Sequence, residues 1–379
     1  MADGAIRIAT SAKGFPRPVR SGPVADEAAR TIAAICPGLG QTVATDGRRN
    51  HILWGPYLGV EAGWAADADL RFKGASGGAL SALLVHLVES GWVDRVLQTG
   101  AGATGPIANE TRLTDDRTGI AGAAGSRYAP SSPLADLGPL IGSGLRHAFV
   151  GKPCDAAALR AWAVRDPQVA RTFPVILSFF CAGVPSAAGG AALLAAMGAD
   201  PLRVTDFRYR GNGWPGDAVA NLNDGSERRM SYRESWGKIL SKHVQHRCKI
   251  CADGTGMAAD LVCADAWETD AEGYPLFEER DGISLVMART GLGQAILAEA
   301  KAAGRIVTRP FDPDRIAAIQ PGQRERRRAL LARLTALRLM GRPVPRYRGL
   351  RLLTAARQNP AGRNLRNLLG MIRRTMRPT

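Results

Sequence analysis

The chain has 379 residues and a formal net charge of +16, with the apolar and charged shares of an ordinary globular protein. This length predicts one large domain or two smaller ones. Six cysteines are too few for a disulfide-stapled secreted scaffold. The most apolar stretch, residues 173–184, is shorter than the ~20 residues of a membrane-spanning helix. Because the first 20 residues lack the apolar core of a signal peptide, we expect a cytoplasmic protein.

The positive charge is concentrated at the C-terminal end. Residues 320–379 contain sixteen arginines and one acidic residue, Glu325, whereas the rest of the chain is almost neutral. This pattern indicates a basic appendage and argues against a protein that binds nucleic acid throughout its length. Tyr347 is the one aromatic residue among these arginines, which also disfavours base stacking.

Helices and strands alternate in the predicted secondary structure. In chain order, the pattern predicts a helix over 25–35, a strand over 58–64, a helix over 79–90, a strand over 93–98, a strand over 147–150, a helix over 155–162, a strand over 175–180, a helix over 187–197, strands over 204–209 and 283–288, a helix ending at Ala303, and two basic helices over 329–340 and 364–374. Such an alternation is typical of mixed α/β proteins.

Four cysteines occur in three short motifs, each next to a predicted turn. Cys154 and Cys181 each follow a predicted strand, and Cys248 and Cys251 form a C-x-x-C motif. Four thiolates are the ligands of a 4Fe–4S cluster, and the same set could hold a structural zinc. The remaining two cysteines, Cys36 and Cys263, fit the role of small apolar side chains, Cys263 best because it lies in an apolar run.

A zinc site made of His243, His246, Cys248 and Cys251 is an alternative. The first three of these residues are too closely spaced for the usual zinc finger. It would also leave Cys154 and Cys181, each at a predicted turn, without a role.

A glycine-rich loop, residues 73–78, precedes the helix predicted over 79–90. Small residues at a helix N-terminus allow a phosphate to approach the backbone N–H groups, and Lys73 and Ser76 could complete a pyrophosphate site. The alternative is a glycine turn with Ser76 as the helix cap.

Two further glycine-containing segments lead to different predictions about ligand binding. Residues 100–105 match GxGxxG, but the sequence after Pro106 does not open a helix, so we interpret the match as fortuitous. Residues 207–216 place two arginines and two aromatic residues around a glycine turn, which favours contact with phosphates and a flat ring system. The alternative is a strand and turn in which Trp214 fills the core.

In order along the chain, these motifs resemble the coenzyme F-420 hydrogenase/dehydrogenase beta-subunit family, which includes 7-hydroxymethyl chlorophyll a reductase and a ferredoxin-dependent divinyl reductase. The resemblance spans about residues 35–304 and also draws on the segments 125–128, 231–236, 265–267 and 281–284. It implies an FAD-dependent iron–sulfur oxidoreductase with two α/β lobes around a flavin and iron–sulfur site. The basic helical tail, which is predicted from its arginine content and helical spacing, lies beyond the span of the resemblance. The implied division is an N-terminal segment (1–57), an N-terminal family domain (58–145), a C-terminal family domain with the iron–sulfur site (146–310) and the Arg-rich tail (311–379).

The resemblance also implies roles for individual residues. One 4Fe–4S cluster would be ligated by Cys154, Cys181, Cys248 and Cys251. The FAD phosphates would be held by Lys73, Gly74, Ser76, Gly77 and Gly78. The flavin cavity would be lined by Ser126, Arg127, Tyr128, Arg208, Arg210, Gly211, Asn212 and Trp214. It names no catalytic residue.

One departure from the family pattern concerns the N-terminus. Many relatives begin with a C-x-x-C-x-x-C stretch that holds a further cluster, whereas residues 1–35 contain no cysteine. We therefore expect a single cluster. From the resemblance we also expect an electron donor such as ferredoxin or a partner subunit, and a small-molecule substrate that the sequence does not identify.

Two alternatives stay open at this point. One is a zinc-stabilised or redox-inactive binding protein. The other concerns residues 320–379. They could form a helical extension whose leucine face covers the protein body, or they could dock on an acidic partner or on an anionic membrane surface, which would place the protein at the periphery of the inner membrane.

Overall fold

The computed structural model describes residues 4–103, 105–268, 276 and 279–376. The strands are β1 (Ile6–Thr10), β2 (Pro16–Arg20), β3 (Gly40–Thr42), β4 (Arg49–His51), β5 (Gly55–Tyr57), β6 (Gly59–Ala65), β7 (Arg95–Gly102), β8 (Gly105–Thr114), β9 (His147–Gly151), β10 (Val175–Phe179), β11 (Val204–Arg208), β12 (Ala218–Leu222), β13 (Glu227–Met230), β14 (Leu261–Asp265), β15 (Ser284–Ala288), β16 (Ile306–Pro310) and β17 (Arg346–Arg348). The α-helices are α1 (Asp26–Ile35), α2 (Ala68–Lys73), α3 (Ala79–Glu89), α4 (Arg117–Gly122), α5 (Pro153–Ala163), α6 (Pro167–Thr172), α7 (Ala187–Ala196), α8 (His246–Lys249), α9 (Gly291–Ala302), α10 (Ile316–Ile319), α11 (Pro321–Leu339), α12 (Leu352–Arg357) and α13 (Ala361–Met376). A π-helix (Arg233–Ile239) and two 3-10 segments (Leu240–His243 and Pro313–Arg315) complete the helical elements of the described residues.

An eight-stranded mixed sheet forms the centre of the molecule, in the order β16-β6-β15-β14-β10-β9-β7-β8. The four strands β14, β10, β9 and β7 run parallel, and the outer strands pair antiparallel. Apolar side chains of α3 and α9, such as Leu83 and Ile296, pack on one face of the sheet. Phe149 and Leu159 belong to the core on the other face. Coverage of both faces explains why the central strands are almost continuously apolar.

The mixed α/β class predicted from the sequence is confirmed. Most predicted strands and helices occur within a few residues of their expected bounds. The helix predicted over 329–340 instead begins at Pro321, because its arginine-rich first turns carry no apolar pattern. Strands from both predicted family domains join the same sheet, because β7 from the first pairs with β9 from the second. The lobes therefore share one sheet instead of each having its own.

A smaller antiparallel sheet, β11-β12-β13, forms a second layer of structure. Its core contains Phe207 and Tyr209 together with Leu193 of α7 and Leu240. Two residues beyond β11, Arg210 pairs with Ser126 in an isolated bridge and forms an ion pair with Asp265 at the end of β14. The small layer thus supplies a wall opposite the carboxyl ends of the parallel strands.

The C-terminal helices pack onto the protein body. Leu330, Leu334 and Leu337 of α11 are buried with Met371 of α13 and with Ile250, next to the C-x-x-C motif. The predicted basic appendage is therefore a structural part of the site region. No helix among the described residues combines the length and apolar composition needed to cross a bilayer.

Removal of a core side chain tests this arrangement. Phe149 is fully buried in β9, so Phe149→Ala should lower the free energy of unfolding by about 3–5 kcal/mol in urea titrations. The control Leu202→Ala alters a side chain that is 93% exposed and should change it by less than about 0.5 kcal/mol. Equal effects of the two changes would contradict the burial described here.

Candidate functional site

The parallel strands bring two of the four cysteines to one edge of the sheet. Gly151, the last residue of β9, is in register with Ser178 near the end of β10. Cys154 follows in the first turn of α5, and Cys181 lies two residues beyond β10. Carboxyl ends of neighbouring parallel strands lie side by side, and this is where α/β sheets place their ligands.

The C-x-x-C motif, which follows a different part of the chain, also lies next to this edge of the sheet. Cys248 lies in the short helix α8, and Cys251 follows in a turn in which its Sγ is 3.2 Å from the carbonyl oxygen of Asp253. The backbone N–H of Cys181 donates to Gly254 O at 2.9 Å. Gly183 has φ +123°, and a Cβ there would lie 3.2 Å from Cys248 Cβ, so the close approach of the two segments favours glycine.

The four cysteines are close enough for their charges to interact. Cys154 interacts with Cys181 and Cys251, and Cys181 interacts with Cys248. Burial raises the pKa of Cys154 and Cys251, and it raises the pKa of Cys181 to about 12. Without a bound cation the three thiols are therefore protonated at neutral pH, and metal binding would have to displace their protons. Among the described residues, no three His, Cys, Asp or Glu side chains are arranged to hold a single metal ion.

Lys152 connects the cysteines with the neighbouring cavity. Its Nζ lies 2.6 Å from Asp155 Oδ2 and 2.7 Å from Ser131 Oγ. Burial alone would lower the pKa of Lys152, but the neighbouring Asp155 carboxylate outweighs this effect and raises the pKa. The side chain therefore carries a permanent positive charge beside the cysteines.

Helix α11 binds the backbone of two of the three cysteine-bearing segments, those of Cys181 and of the C-x-x-C motif. The carbonyl oxygen of Cys181 accepts hydrogen bonds from Gln323 Nε2 at 3.0 Å and Arg326 Nη1 at 2.8 Å. Arg327 donates to Ala252 O at 2.8 Å, and Arg333 donates to Lys249 O at 3.0 Å. These contacts could not be predicted from the sequence, because nothing in an arginine-rich helix identifies the carbonyl groups to which its side chains will donate.

A cavity of about 280 Å³ extends from the glycine-rich loop to Cys181, one of the four candidate ligand cysteines. Gly74, Ser76 and Gly78 line one end, and Lys152 and Cys181 line the other. Its aromatic wall consists of Tyr128, Tyr232, Trp236 and Trp267. Its volume lies near the lower end of the roughly 300–1,000 Å³ usual for ligand pockets.

The glycine-rich loop directs the start of α3 into this cavity. Gly78 adopts φ +67°, and a Cβ there would lie 2.3 Å from Leu70 O, so this turn requires glycine. Helix α3 has no side-chain cap, and its first residue, Ala79, lines the cavity. The first-turn N–H groups and the helix dipole make this end suitable for an anion.

Seven of the thirteen residues predicted to bind cofactor line the cavity, namely Gly74, Ser76, Gly78, Ser126, Arg127, Tyr128 and Arg210. Six others do not line it, namely Lys73, Gly77, Arg208, Gly211, Asn212 and Trp214. Lys73 forms an ion pair with Asp69 at 2.9 Å on the surface. Trp214 stacks on Trp267 with ring centroids 4.8 Å apart, which is the core-filling alternative.

The two lining arginines hold protein groups. Arg127 donates to Asn109 Oδ1 at 2.7 Å and to the carbonyls of Pro106 and Ala108 at 2.8 Å. Arg210 forms a two-pronged ion pair with Asp265, at 2.9 and 2.7 Å. Their guanidinium groups therefore shape the cavity wall. Segment 207–216 was expected to contact phosphate through its arginines, whereas Arg210 binds Asp265. Arg127 was expected to line the cavity, and it does.

Several lining residues escaped prediction, namely Gln98, Lys152, Tyr232, Trp236, Asp265 and Trp267. Lys152 lies two residues before a predicted metal ligand, and the segments 231–236 and 265–267 were already part of the motif set. A charged or aromatic residue next to such a motif is therefore the sequence feature from which these lining residues could have been predicted.

The GxGxxG match does not form a dinucleotide-binding turn. Strands β7 and β8 form a hairpin here, pairing Gly102 with Gly105, and no helix begins within it. Thr104 lies outside the described residues. The interpretation of this match as fortuitous is confirmed.

The Arg210–Asp265 pair offers a test of the cavity wall. Arg210 is only 2% exposed, and Arg210→Met leaves the Asp265 carboxylate without its positively charged partner, with the Trp214 Nε1 hydrogen bond remaining. The change should lower the free energy of unfolding by about 3 kcal/mol. Arg203→Met, which breaks an exposed ion pair with Asp224, should leave the urea midpoint nearly unchanged. A midpoint for Arg210→Met close to that of the control would show that this pair does not stabilise the wall.

Comparison with known proteins gives consistent results. Residues 60–137 match the family model for the N-terminal part of the coenzyme F420 hydrogenase/dehydrogenase beta subunit, and residues 144–314 match the model for its C terminus. Coenzyme F420 hydrogenase subunit beta from Methanosarcina barkeri (strain Fusaro / DSM 804) is 26% identical over 273 residues, covering 68% of this chain and 84% of the relative.

A solved structure shares the fold. It is a chain from a study of xenon derivatization of the F420-reducing [NiFe] hydrogenase complex from Methanosarcina barkeri, with a TM-score of 0.57 and 22% identity. The match covers 79% of this chain and 94% of that one. From the two matched models, the chain belongs to the coenzyme F420 hydrogenase/dehydrogenase beta-subunit family, a family of oxidoreductase subunits.

Proposed function

We propose that the protein is an FAD-dependent iron–sulfur oxidoreductase, which passes electrons between one 4Fe–4S cluster and a small-molecule substrate by way of flavin. The observation that carries this proposal is the continuous cavity between Gly78 and Cys181. A flavin in this cavity would lie next to a cluster held by the cysteines. Such proximity is required for direct electron transfer between the two groups. The family's hydrogenase and dehydrogenase subunits support the oxidoreductase class.

The donor set fits a cluster. A 4Fe–4S cluster takes one thiolate at each of its four irons, so the ligands surround a cage instead of meeting at one ion. Cys154, Cys181, Cys248 and Cys251 come from three separate segments that converge, in keeping with that requirement. Lys152 and Arg326 supply positive charge beside the thiolates. A structural zinc ion is the alternative occupant of these cysteines, and metal analysis distinguishes it from a cluster.

The cavity fits a flavin in its chemistry. The free N-terminus of α3 would hold the phosphates, with Ser76 beside it, and the aromatic wall would stack on the ring system. Bound flavin supplies exchange between one-electron and two-electron carriers. Lys152 would place a positive charge near the ring, and Trp267 and Tyr232 would exclude water from it.

The domain division follows from the same proposal. Residues 58–145 would supply the phosphate end and 146–310 the cysteines, in keeping with the matched ranges 60–137 and 144–314. Because the named relative is a hydrogenase subunit, the electron donor would be a partner subunit or a carrier such as ferredoxin.

Cofactor analysis of anaerobically purified protein tests this proposal. We expect about four irons, about four sulfides and about one FAD per chain. Cys181→Ser should lose the iron while keeping FAD, because the phosphate end of the cavity is untouched. Cys36→Ser is the matched control and should keep both. Zinc in place of iron, with no flavin, would refute the proposal.

Docking on an anionic membrane, peripheral to the inner membrane, is a second candidate function. Helix α13 leaves Leu365, Leu369 and Met376 more than half exposed along one stripe, with Arg366 and Arg373 beside it. An apolar stripe flanked by arginines is typical of helices that lie in a membrane interface.

Vesicle flotation checks this second candidate. The full-length protein should float with vesicles containing anionic lipid, and Leu365→Glu/Leu369→Glu should abolish flotation by removing the apolar stripe. Leu202→Glu serves as the control, because Leu202 is exposed and is distant in sequence from α13. Failure of the unchanged protein to bind anionic vesicles would exclude the membrane.

A further inference from the structure

Four basic residues surround the outer side of the C-x-x-C motif: Lys249, Arg326, Arg333 and Arg374, here called the basic patch. Lys249 is within range of charge interaction with all three arginines, and Arg333 with Arg374 and Arg326. Burial, followed by repulsion from these two arginines, lowers the pKa of Arg333 to about 10. Arg374 also interacts with His246 at the start of α8. Helices α8, α11 and α13 therefore contribute to one concentrated positive surface.

No carboxylate compensates the basic patch among the described residues. None of its four members forms an ion pair there, and their hydrogen bonds go to backbone carbonyl groups. Glu325, the one acidic residue of the tail, pairs instead with Arg324 and Arg363. Clustered like charges repel one another, so this surface favours an anionic partner.

The basic patch lies where electrons would enter the proposed cluster. Lys249 is the chain neighbour of Cys248, and Arg326 binds the carbonyl oxygens of Cys181 and of exposed Ala182. Its charge also acts on Cys181 and Cys251. A protein seated on the basic patch would therefore be close to the cluster, whereas the flavin cavity lies beyond Cys181.

The basic patch depends on a part of the chain outside the matched family models. These models end at residue 314, and Arg326, Arg333 and Arg374 all lie beyond it. The stripe of exposed leucines on α13 is separate, since Arg374 and Lys249 contribute charge and no apolar surface. Charge without a large exposed apolar group favours a rapidly exchanging protein partner over insertion into lipid.

We propose that the basic patch is the docking surface for an acidic one-electron carrier protein, which exchanges single electrons with the cluster. This inference rests on the proposed function. In the reducing direction the carrier is oxidised by one electron and the cluster is reduced by one, with no bond formed or broken. Two such transfers supply the two electrons that a flavin passes to a substrate.

Electron transfer from two donors tests the basic patch in the complete holoprotein. The variant Lys249→Gln/Arg374→Gln removes two patch charges without touching the arginines that bind the cysteine segments. The matched control Arg338→Gln/Arg366→Gln removes two exposed arginines outside the basic patch, one from α11 and one from α13. The donors are a reduced acidic ferredoxin, as the probe carrier, and reduced methyl viologen, a small cation.

At low ionic strength, we expect the patch variant to react about tenfold more slowly with ferredoxin and to lose most of the salt dependence. The control variant should keep the wild-type rate, and viologen should reduce all three proteins with little difference. Equal ferredoxin rates and salt dependence in the wild type and the patch variant would overturn the docking surface. So would loss of anionic-vesicle binding in the patch variant with ferredoxin kinetics unchanged.

Direct binding separates this inference from the proposed function. Ferredoxin binding by titration calorimetry needs no electron transfer, so it reports on the basic patch even if the protein holds no iron. Salt-sensitive binding lost in the patch variant supports the docking surface, and absent or unchanged binding refutes it. Lack of iron and of reduction by viologen in the wild type would instead refute the proposed function.

Discussion

The parallel register of β9, β10 and β14 is the constraint on which the site depends. Pairing of Gly151 with Ser178, and of Phe179 with Cys263, fixes where each strand ends. Cys154, Cys181 and Asp265 therefore emerge at one edge of the sheet. A one-residue slip in a strand would turn its side chains to the opposite face, so the apolar core on both faces also fixes the position of the cysteines.

Two layers then close around this edge. The segment that follows β11 of the small sheet contributes Arg210, whose ion pair with Asp265 joins this segment to the end of β14. Helix α11 contributes Gln323 and Arg326, which bind the backbone carbonyl of Cys181. The positively charged tail thus acts in two ways. Part of it satisfies backbone groups in the interior, and part of it forms the basic patch.

Local patterns in the sequence predicted much of this arrangement. Apolar runs located the central strands β9 and β10 and the helices α3 and α7, because burial on both faces leaves a continuous apolar signal. The antiparallel strands β1, β2, β12 and β13 were missed, since they are short, exposed or weakly alternating. Strand β14 was read as an apolar run around Cys263, which lies within it.

Contacts between side chains that are far apart in the sequence could not be predicted from local sequence patterns. Lys73 fits a phosphate site by spacing, yet its partner is Asp69 one helical turn away. Arg210 finds Asp265 across 55 residues, and Arg326 reaches Cys181 across 145. Charge and spacing identify which residues can bind an anion, but the three-dimensional neighbours decide whether a protein group already occupies them.

A crystal structure of anaerobically purified protein, with anomalous data collected on both sides of the iron and of the zinc absorption edges, tests the central claim most directly. The account predicts a compact iron signal enclosed by Cys154, Cys181, Cys248 and Cys251, with planar density in the neighbouring cavity between Gly78 and Cys181. A single zinc signal at Cys248 and Cys251, with the cavity filled only by water, would contradict it.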